Sequence, residues 1–181
     1  APGGKSFAAA IEMNNKGQIV SCDLHAHKIA LIAGGAERLG ISIIKAMHRD
    51  ATVFVPDWEA AMDVVIADVP CSGLGVIRKK PDIRYKDIDQ LAGLPRVQRA
   101  ILENVSRYVK PGGVLLYSTC TVLKRENEDI VTAFLEEHPE FRMDAFDTPL
   151  GSGIGKVPMV TLLPQRDGTD GFFICRLRRN G

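Results

Sequence analysis

The chain has few cysteines, no long apolar run and almost no net charge, and each of these absences excludes a class of protein. Four cysteines among 181 residues, none in a CxxC spacing, provide neither a disulfide framework nor a zinc knuckle. No run of about 18 apolar residues is present, so no membrane-spanning helix is predicted. A formal net charge of +1 means that bulk charge gives no evidence for a nucleic-acid partner.

The composition that remains is typical of a soluble globular domain, with 45% hydrophobic and 25% charged residues. A chain of 181 residues is long enough to bury a full core, so we predict one domain over residues 1–181. Unpaired cysteines indicate a reducing compartment, and we expect a cytoplasmic protein. The four histidines show no ligand spacing with cysteines or acids, so no metal site is predicted.

Apolar runs and helical patterns alternate along the chain. Strands are predicted over residues 18–22, 41–46, 63–67 and 114–118, and helices over residues 7–13, 26–39, 94–109 and 126–137. Two late segments, 159–163 and 172–177, predict a closing β-hairpin. This alternation predicts an α/β fold with a doubly wound, mostly parallel sheet.

A glycine-containing loop at residues 1–5 leads directly into the first predicted helix. Backbone N–H groups at such a helix start bind phosphate or carboxylate groups. The loop does not match GxGxxG, so a dinucleotide is the less favoured ligand. Loops of this kind normally follow a strand. We therefore expect the first strand of the sheet to lie upstream of Ala1, and the domain to be truncated at its N-terminus.

Three acids, Asp23, Asp50 and Asp68, each follow a predicted strand. In folds of this class an acid after a strand accepts hydrogen bonds from ribose hydroxyls, and another can accept from an adenine amino group. An aspartate at a strand end also caps the following turn or helix, so each acid alone has two interpretations. Three of them in equivalent positions favour an adenosine-containing cofactor.

Two cysteines lie directly after predicted strands, where ligands bind in open α/β sheets. Cys71 lies in residues 68–73 (DVPCSG), and Cys120 ends residues 118–120 (STC). These positions favour chemistry on one bound substrate, although a core role is also open for each thiol taken alone. The remaining two, Cys22 and Cys175, lie inside predicted strands and are expected to be core thiols.

Taken together, these segments resemble the RsmB/Sun-type RNA cytosine-5 methyltransferases. The resemblance rests on residues 1–5, 68–73, 78–82, 118–120 and 167–173. It spans nearly all of the chain, but the family's first strand and its N-terminal helical RNA-binding domain are not in this sequence. The resemblance implies a Rossmann-like class I methyltransferase domain, S-adenosylmethionine as cofactor, and RNA, in particular small-subunit ribosomal RNA, as partner.

The resemblance also implies roles for individual residues. The Cys120 thiolate is expected to add to carbon 6 of cytosine, which makes carbon 5 nucleophilic enough to accept a methyl group. Asp68 is expected at ring nitrogen 3, and Cys71 is expected to help release the product. The implied cofactor-binding set is Ala1, Pro2, Gly3, Gly4, Lys5, Asp23, Asp50 and Asp68, with Asp23 on the ribose and Asp50 on the adenine.

Basic residues flank the two cysteine segments, and they are either a solvated face or contacts to RNA phosphates. They are Arg78, Lys79, Lys80, Arg84, Lys86, Arg96, Arg99, Lys124 and Arg125, with Tyr85 among them as a candidate for base stacking. Two other functions stay open. One is a DNA cytosine-5 methyltransferase, whose nucleophile is the Pro-Cys thiol, here Cys71. The other is a non-catalytic, adenosine-binding module that interacts with RNA.

Overall fold

The structure is a computed structural model that describes residues 3–87, 91–148 and 155–181. The chain divides into two compact units, an N-terminal unit (Ala1–Val53) and a C-terminal unit (Phe54–Gly181). One catalytic domain over residues 1–181 stays a prediction.

The N-terminal unit contains two helices and two strands. In chain order they are α1 (Gly4–Glu12), β1 (Ile19–Asp23), α2 (Ala26–Arg38) and β2 (Ile44–His48). The strands pair in parallel, which requires a crossover connection, and α2 provides it. Gly40 has a φ of 66° just beyond α2, a left-handed conformation that favours glycine and ends the helix.

The C-terminal unit contains the longer sheet. Its elements are β3 (Met62–Asp68), α3 (Leu94–Ser106), β4 (Val109–Thr119), α4 (Glu128–Glu137), β5 (Phe141–Met143), β6 (Met159–Leu162), α5 (Pro164–Asp167) and β7 (Phe172–Arg179). Short 3₁₀ turns lie at Pro56–Trp58, Leu74–Val76, Pro81–Tyr85 and Lys124–Glu126. The strand order is β3-β4-β7-β5, and β6 also pairs with β7.

Strand direction in this unit changes along the sheet. β3 and β4 are parallel, whereas β7 is antiparallel to β4, β5 and β6. The predicted closing pair of strands is therefore present, with β6 against β7. Leu115, Tyr117 and Phe173 are fully buried and form part of the core between sheet and helices. The predicted α/β class is confirmed.

Two local predictions are wrong. The helix predicted to reach residue 109 ends at Ser106, because Val109 already pairs with Met62 as the first residue of β4. Gly112 and Gly113, which lie between the predicted helix (residues 94–109) and the predicted strand (residues 114–118), are inside β4 instead. There the register shifts beyond Met62, and Gly112 has a φ of 77°, which lets the chain bulge and rejoin the ladder.

The second wrong prediction concerns Cys22, which is exposed rather than part of a core. Side chains on a strand alternate between its two faces, and on β1 the neighbouring Ser21 is the buried residue. Cys175 on β7 is fully buried, as expected, and burial raises the pKa of its thiol to about 12.

Candidate active site

The structure brings together the two cysteines that the sequence separates by 49 residues. β3 and β4 run in parallel with Asp68 opposite Ser118, so the loops that follow both strands leave the same edge of the sheet. The Cys71 and Cys120 Sγ atoms lie 3.1 Å apart, and the Cys120 N–H donates to the Cys71 sulfur at 3.2 Å. Both thiols are unbridged and half-buried.

The surroundings of Cys71 shift the pKa of its thiol. The hydrogen bond to Cys120 raises the pKa of Cys71 far above its ordinary value, and burial and the negative charge of a Cys120 thiolate raise it further. Backbone N–H groups of Cys120 and Gly73 oppose this shift but do not cancel it. The raised pKa favours the protonated form of Cys71, and the geometry of the contact allows either sulfur to be the donor.

Asp68 is the last residue of β3, three positions before Cys71, and it is exposed at the sheet edge. The Ser118 hydroxyl donates to Asp68 Oδ1 at 3.1 Å, and the Val69 N–H donates to the Ser118 carbonyl at 3.2 Å. These bonds orient the carboxyl group at the same end of the sheet as the two thiols.

Several polar side chains around the cysteine loops are buried, and the sequence pattern did not identify them. At most 1% of the surface of each is exposed; the six are Ser72, Gln98, Thr119, Thr121, Glu126 and Asn127. We call them the buried polar network. In it, the Ser72 and Thr121 hydroxyls share a hydrogen bond of 2.7 Å that joins the two cysteine loops directly.

The sequence pattern does not single out Glu126 and Asn127, because they lie in residues 124–129 (KRENED), a charged run typical of a solvated helix start. The available signal was a capping-type residue, Asn127, directly before α4 and close behind Cys120. A one-dimensional pattern does not reveal that a charged residue in such a run is buried.

The tail around Asp170 contacts the loop that follows Cys71. The Gly75 N–H donates to the Cys120 carbonyl at 3.0 Å, and the Gly171 N–H donates to the Gly75 carbonyl at 2.8 Å. A Cβ on Gly75 would lie 2.0 Å from the Gly171 oxygen, so no other residue fits there. Main-chain hydrogen bonds therefore connect the tail (residues 167–173) to Gly75 in the loop after Cys71, and connect Gly75 to Cys120.

Asp170 itself is buried and forms ion pairs with Lys79 at 2.5 Å and Arg78 at 3.4 Å. The hydrogen bond from Lys79 and the nearby charges hold the pKa of the Asp170 carboxyl below its usual range, although burial opposes the shift. These two basic residues, which we considered for RNA contact, thus have a partner within the protein.

Other basic residues line a cavity of about 680 Å³ in the C-terminal unit. Its lining consists of Leu74, Ile83, Arg84, Lys86, Leu91, Leu123, Lys124, Arg125 and Asp129. Leu74 and Leu123 each lie three residues beyond a site cysteine, and Lys86 Nζ donates to the Ser72 carbonyl at 3.1 Å. The cavity therefore adjoins the cysteine loops, and four exposed cations face it against a single acid.

Two further candidates for RNA contact, Arg99 and Tyr85, differ in whether they already have a partner within the protein. Arg99 pairs with Glu103 at 2.8 Å and with Glu137, so its charge is used on the helix surface. Tyr85 is 83% exposed, which leaves its ring accessible.

The predicted cofactor residues of the N-terminal unit lie at its strand ends and at the start of α1. Ala1 and Pro2 lie outside the described residues. Gly3 has a φ of 104° immediately before α1, a conformation that favours glycine, and Gly4 and Lys5 form the first turn. N–H groups in the first turn of a helix have no partner within the helix and point towards a ligand.

Asp23 is the last residue of β1 and accepts the His25 N–H at 2.9 Å and Lys28 Nζ at 3.5 Å. Burial opposes ionisation of Asp23, but these donors outweigh it and lower its pKa. Asp50 follows β2 and accepts the Thr52 hydroxyl and N–H at 2.7 and 2.8 Å, which lower its pKa as well.

Both acids are therefore ionised at neutral pH, and a carboxylate has room for further donors beside those it already binds. Ionised acceptors after two parallel strands, together with a glycine loop at a helix start, are the groups that an adenosine-containing amino-acid cofactor requires.

Two negative findings apply to the described residues. No group of three or more His, Cys, Asp or Glu side chains lies close enough there to hold a metal ion. Within the same ranges, every helix is too short or too polar to cross a membrane.

Comparison with known proteins identifies relatives of this chain. The sequence model of the family described as 16S rRNA methyltransferase RsmB/F matches residues 1–178. The probable ribosomal RNA small subunit methyltransferase B of Bacillus subtilis (strain 168) is 44% identical over 187 residues, which cover 100% of this chain and 42% of that protein. The ribosomal RNA small subunit methyltransferase F of Erwinia tasmaniensis is 32% identical and covers 99% of this chain and 38% of its own length.

Solved structures agree with the sequence relatives. The crystal structure of PH0851 superimposes with a TM-score of 0.91 at 36% identity, covering 99% of this chain and 41% of that one. NSun6 from Pyrococcus horikoshii with SFG gives a TM-score of 0.81 at 29% identity, covering 100% of this chain and 46% of that one. The chain spans about two fifths of the length of the curated relatives it matches.

Proposed function

Because the chain belongs to the 16S rRNA methyltransferase RsmB/F family, we propose that it is the catalytic part of an RNA cytosine-5 methyltransferase. The substrate is a cytosine of small-subunit ribosomal RNA, and S-adenosylmethionine is the methyl donor. The observation that carries the proposal is the 3.1 Å contact between Cys71 and Cys120 at the ends of two parallel strands. Two thiols in contact, one holding a proton for the other, suit a reaction that both forms and breaks a carbon–sulfur bond.

The Cys120 thiolate is the nucleophile. It forms a bond to carbon 6 of the cytosine, and the electrons of the 5,6 double bond shift so that carbon 5 becomes nucleophilic. The Cys71 proton supports this step, since a hydrogen bond to the Cys120 sulfur stabilises the thiolate before attack.

Asp68 stabilises the negative charge that develops on the cytosine ring. A carboxyl group that shares a proton with ring nitrogen 3 stabilises the electron-rich pyrimidine. Its place at the sheet edge, held by the Ser118 hydroxyl, supports this role.

Cys71 acts a second time, after methylation. Once Cys120 is bonded to carbon 6 it no longer carries a charge, so two of the causes that raise the pKa of Cys71 disappear. Cys71 then releases its proton to solvent more easily, and the resulting thiolate accepts the proton from carbon 5. The electrons of the carbon 5–hydrogen bond restore the double bond, and Cys120 leaves as a thiolate.

The cofactor supplies an electrophilic methyl group. Asp23 accepts hydrogen bonds from the ribose hydroxyls and Asp50 from the adenine amino group. Gly3, Gly4 and Lys5 surround the methionine part. The lowered pKa of both acids supports these assignments, as does the relative solved with SFG, an analogue of S-adenosylmethionine.

The RNA contacts the cavity beside the cysteine loops. Arg84, Lys86, Lys124 and Arg125 offer positive charge to phosphates, and the apolar lining suits an unstacked base. Affinity that depends on these cations should fall as salt concentration rises.

Covalent trapping tests the proposal on the full-length protein. Ribosomal RNA fragments containing 5-fluorocytosine should form a stable adduct, visible as a shifted band on a denaturing gel, because fluorine cannot leave carbon 5 as a proton does. Cys120→Ser should abolish both the adduct and turnover, since a serine hydroxyl is far less ionised than a thiol. Cys22→Ser, which changes the exposed thiol of β1, is the matched control and should trap normally.

The same gel separates the alternatives. An adduct that survives Cys120→Ser and disappears with Cys71→Ala would indicate the DNA-type nucleophile. Absence of any adduct in a protein that still binds S-adenosylmethionine would indicate a non-catalytic module.

A further inference from the structure

We propose that Glu126 and Asn127 are positioning residues that set the geometry of the two thiols. Each side chain contacts residues on both sides of one cysteine, Glu126 around Cys71 and Asn127 around Cys120. The inference rests on the proposed function for its catalytic meaning, but the geometry it describes can be measured without RNA.

Glu126 holds the loop of Cys71 through a single oxygen. The Ser72 N–H donates to Glu126 Oε2 at 2.9 Å. Gln98 Nε2 donates to the same oxygen at 2.9 Å and also to the Pro70 carbonyl at 2.9 Å. The residue before Cys71 and the residue after it are thereby tied, one through Gln98 and one directly, to the same carboxylate.

Asn127 holds the loop of Cys120 in the same way. The Thr119 hydroxyl donates to Asn127 Oδ1 at 2.6 Å, and Asn127 Nδ2 donates to the Thr121 carbonyl at 3.1 Å. An amide is the side chain that accepts and donates at once, so asparagine satisfies both neighbours of Cys120 where aspartate would satisfy only one.

The two holding residues are consecutive in the chain, so the two loops are held from one short segment. Successive Cα atoms are about 3.8 Å apart, which limits the distance between the two points of attachment. The Tyr117 hydroxyl donates to the Glu126 carbonyl at 2.7 Å, which ties this segment to β4 shortly before Cys120. Each of the two residues holds its own thiol loop.

The cost of this arrangement indicates that it does more than stabilise the fold. Glu126 is fully buried, and in the described part of the chain its Oε1 atom has no hydrogen-bond partner. A buried, half-satisfied carboxyl group destabilises a protein relative to an apolar side chain of similar size. A requirement for an oxygen that accepts two N–H groups at this point, in order to hold Cys71, explains the presence of the acid.

The first experiment measures thiol geometry with no substrate. In the full-length protein carrying Cys22→Ser, diamide removes two hydrogens and joins Cys71 to Cys120, and mass spectrometry quantifies the linked peptides. Asn127→Ala and Glu126→Ala, which remove the groups that hold the loops, should each slow this reaction by about tenfold or more, because reactivity between two groups depends steeply on their placement. Asn104→Ala, a buried asparagine that bonds to Tyr108 instead, is the matched control and should react at the unsubstituted rate.

The second experiment divides the two roles. Asn127→Ala should slow adduct formation on 5-fluorocytosine RNA, since that step needs Cys120. Glu126→Ala should leave trapping close to normal but slow product release, so that an adduct accumulates on unmodified RNA. If Asn127→Ala fails to fold, Asn127→Asp keeps the size and the acceptor for Thr119 and replaces it in both assays.

Unchanged disulfide rates in both variants, or equal slowing in Asn104→Ala, would overturn the proposal. So would slowing of the same step by both substitutions. Because the diamide assay needs no RNA, a protein that fails to trap RNA yet shows the predicted disulfide rates would refute the proposed function and leave the positioning role standing.

Discussion

The acids of the N-terminal unit bond to groups close to them in sequence, whereas the cysteines of the C-terminal unit are held by partners far along the chain. Asp23 and Asp50 each accept an N–H from two residues away. Cys71 contacts Cys120 across 49 residues, and Ser72 reaches Glu126 across 54. The acids lie at turns near the surface, and the residues around the cysteines are almost fully buried.

This difference follows what each region is proposed to do. A carboxylate that accepts hydrogen bonds from a ligand contributes affinity, and a local turn is sufficient to orient it. Two sulfurs that act in turn on one ring must keep a fixed separation, and small displacements cost rate steeply. Substitutions in the C-terminal unit should therefore lower rates, and those in the N-terminal unit should lower affinity.

Cys71→Ala should give the largest effect and sharpen the comparison most. Attack and methylation should continue, but product release should become slow, because the proton acceptor proposed for carbon 5 is gone. A covalent protein–RNA adduct should accumulate on unmodified RNA and appear on a denaturing gel. If Cys120→Ser accumulated the adduct and Cys71→Ala did not, the two roles would be reversed.

Asp23→Ala should weaken S-adenosylmethionine binding by about 1.5–3 kcal/mol, the cost of losing hydrogen bonds to a charged acceptor. Calorimetry on the full-length protein measures this change. Glu37→Ala, which removes an exposed acid of α2, is the control and should bind normally. A normal affinity in Asp23→Ala would remove the ribose role, and a loss of rate without loss of affinity would break the division between the two units.

Gly75→Ala should destabilise the C-terminal unit by about 1–3 kcal/mol, because its Cβ meets the Gly171 main chain. Thermal unfolding followed by circular dichroism measures the loss. Gly155→Ala, at a position with open space around the added carbon, should melt like the unsubstituted protein. Equal melting temperatures for both variants would mean that Gly171 does not pack against Gly75 as described.

Asp170→Asn should give the smallest effect, visible as a change in the pH dependence of stability. The pKa of Asp170 is lowered in the folded protein, so its ion pairs stabilise the fold above the unfolded pKa and this stabilisation is lost as pH falls through the folded pKa. The difference in melting temperature between the two proteins should therefore begin to shrink below about pH 5 and continue to shrink as the pH falls below about 3.9. Asp57→Asn, at an exposed turn, is the control, and a constant difference for Asp170→Asn would contradict the ion-pair account.

Features that depend on nearby residues were predictable from the sequence. Periodicity located every strand of the two parallel pairs within a few residues, and the positions of Asp68, Cys71 and Cys120 after strands followed from it. The left-handed Gly40 and the antiparallel strands β6 and β7 were also recognisable from local turn residues.

Features that depend on packing could not be predicted from the sequence. Cys22 was expected in a core, yet its exposure depends on which face of β1 is covered. Arg78 and Lys79 read as free cations until the fold brings Asp170 to them from 91 or more residues away. The bulge in β4 arises because its partner strand continues past the glycines, which a pattern in one strand does not contain.

By itself the sequence determined the fold class, the order of the elements and the placement of two thiols and three acids at strand ends, because strand period and turn preference act over a few residues. Only the tertiary structure decided that the thiols touch, that the pKa of Cys71 is raised, and that Glu126 and Asn127 are buried. Those properties arise from contacts between segments about 50 residues apart, where burial and neighbouring charge, rather than residue type, set the chemistry.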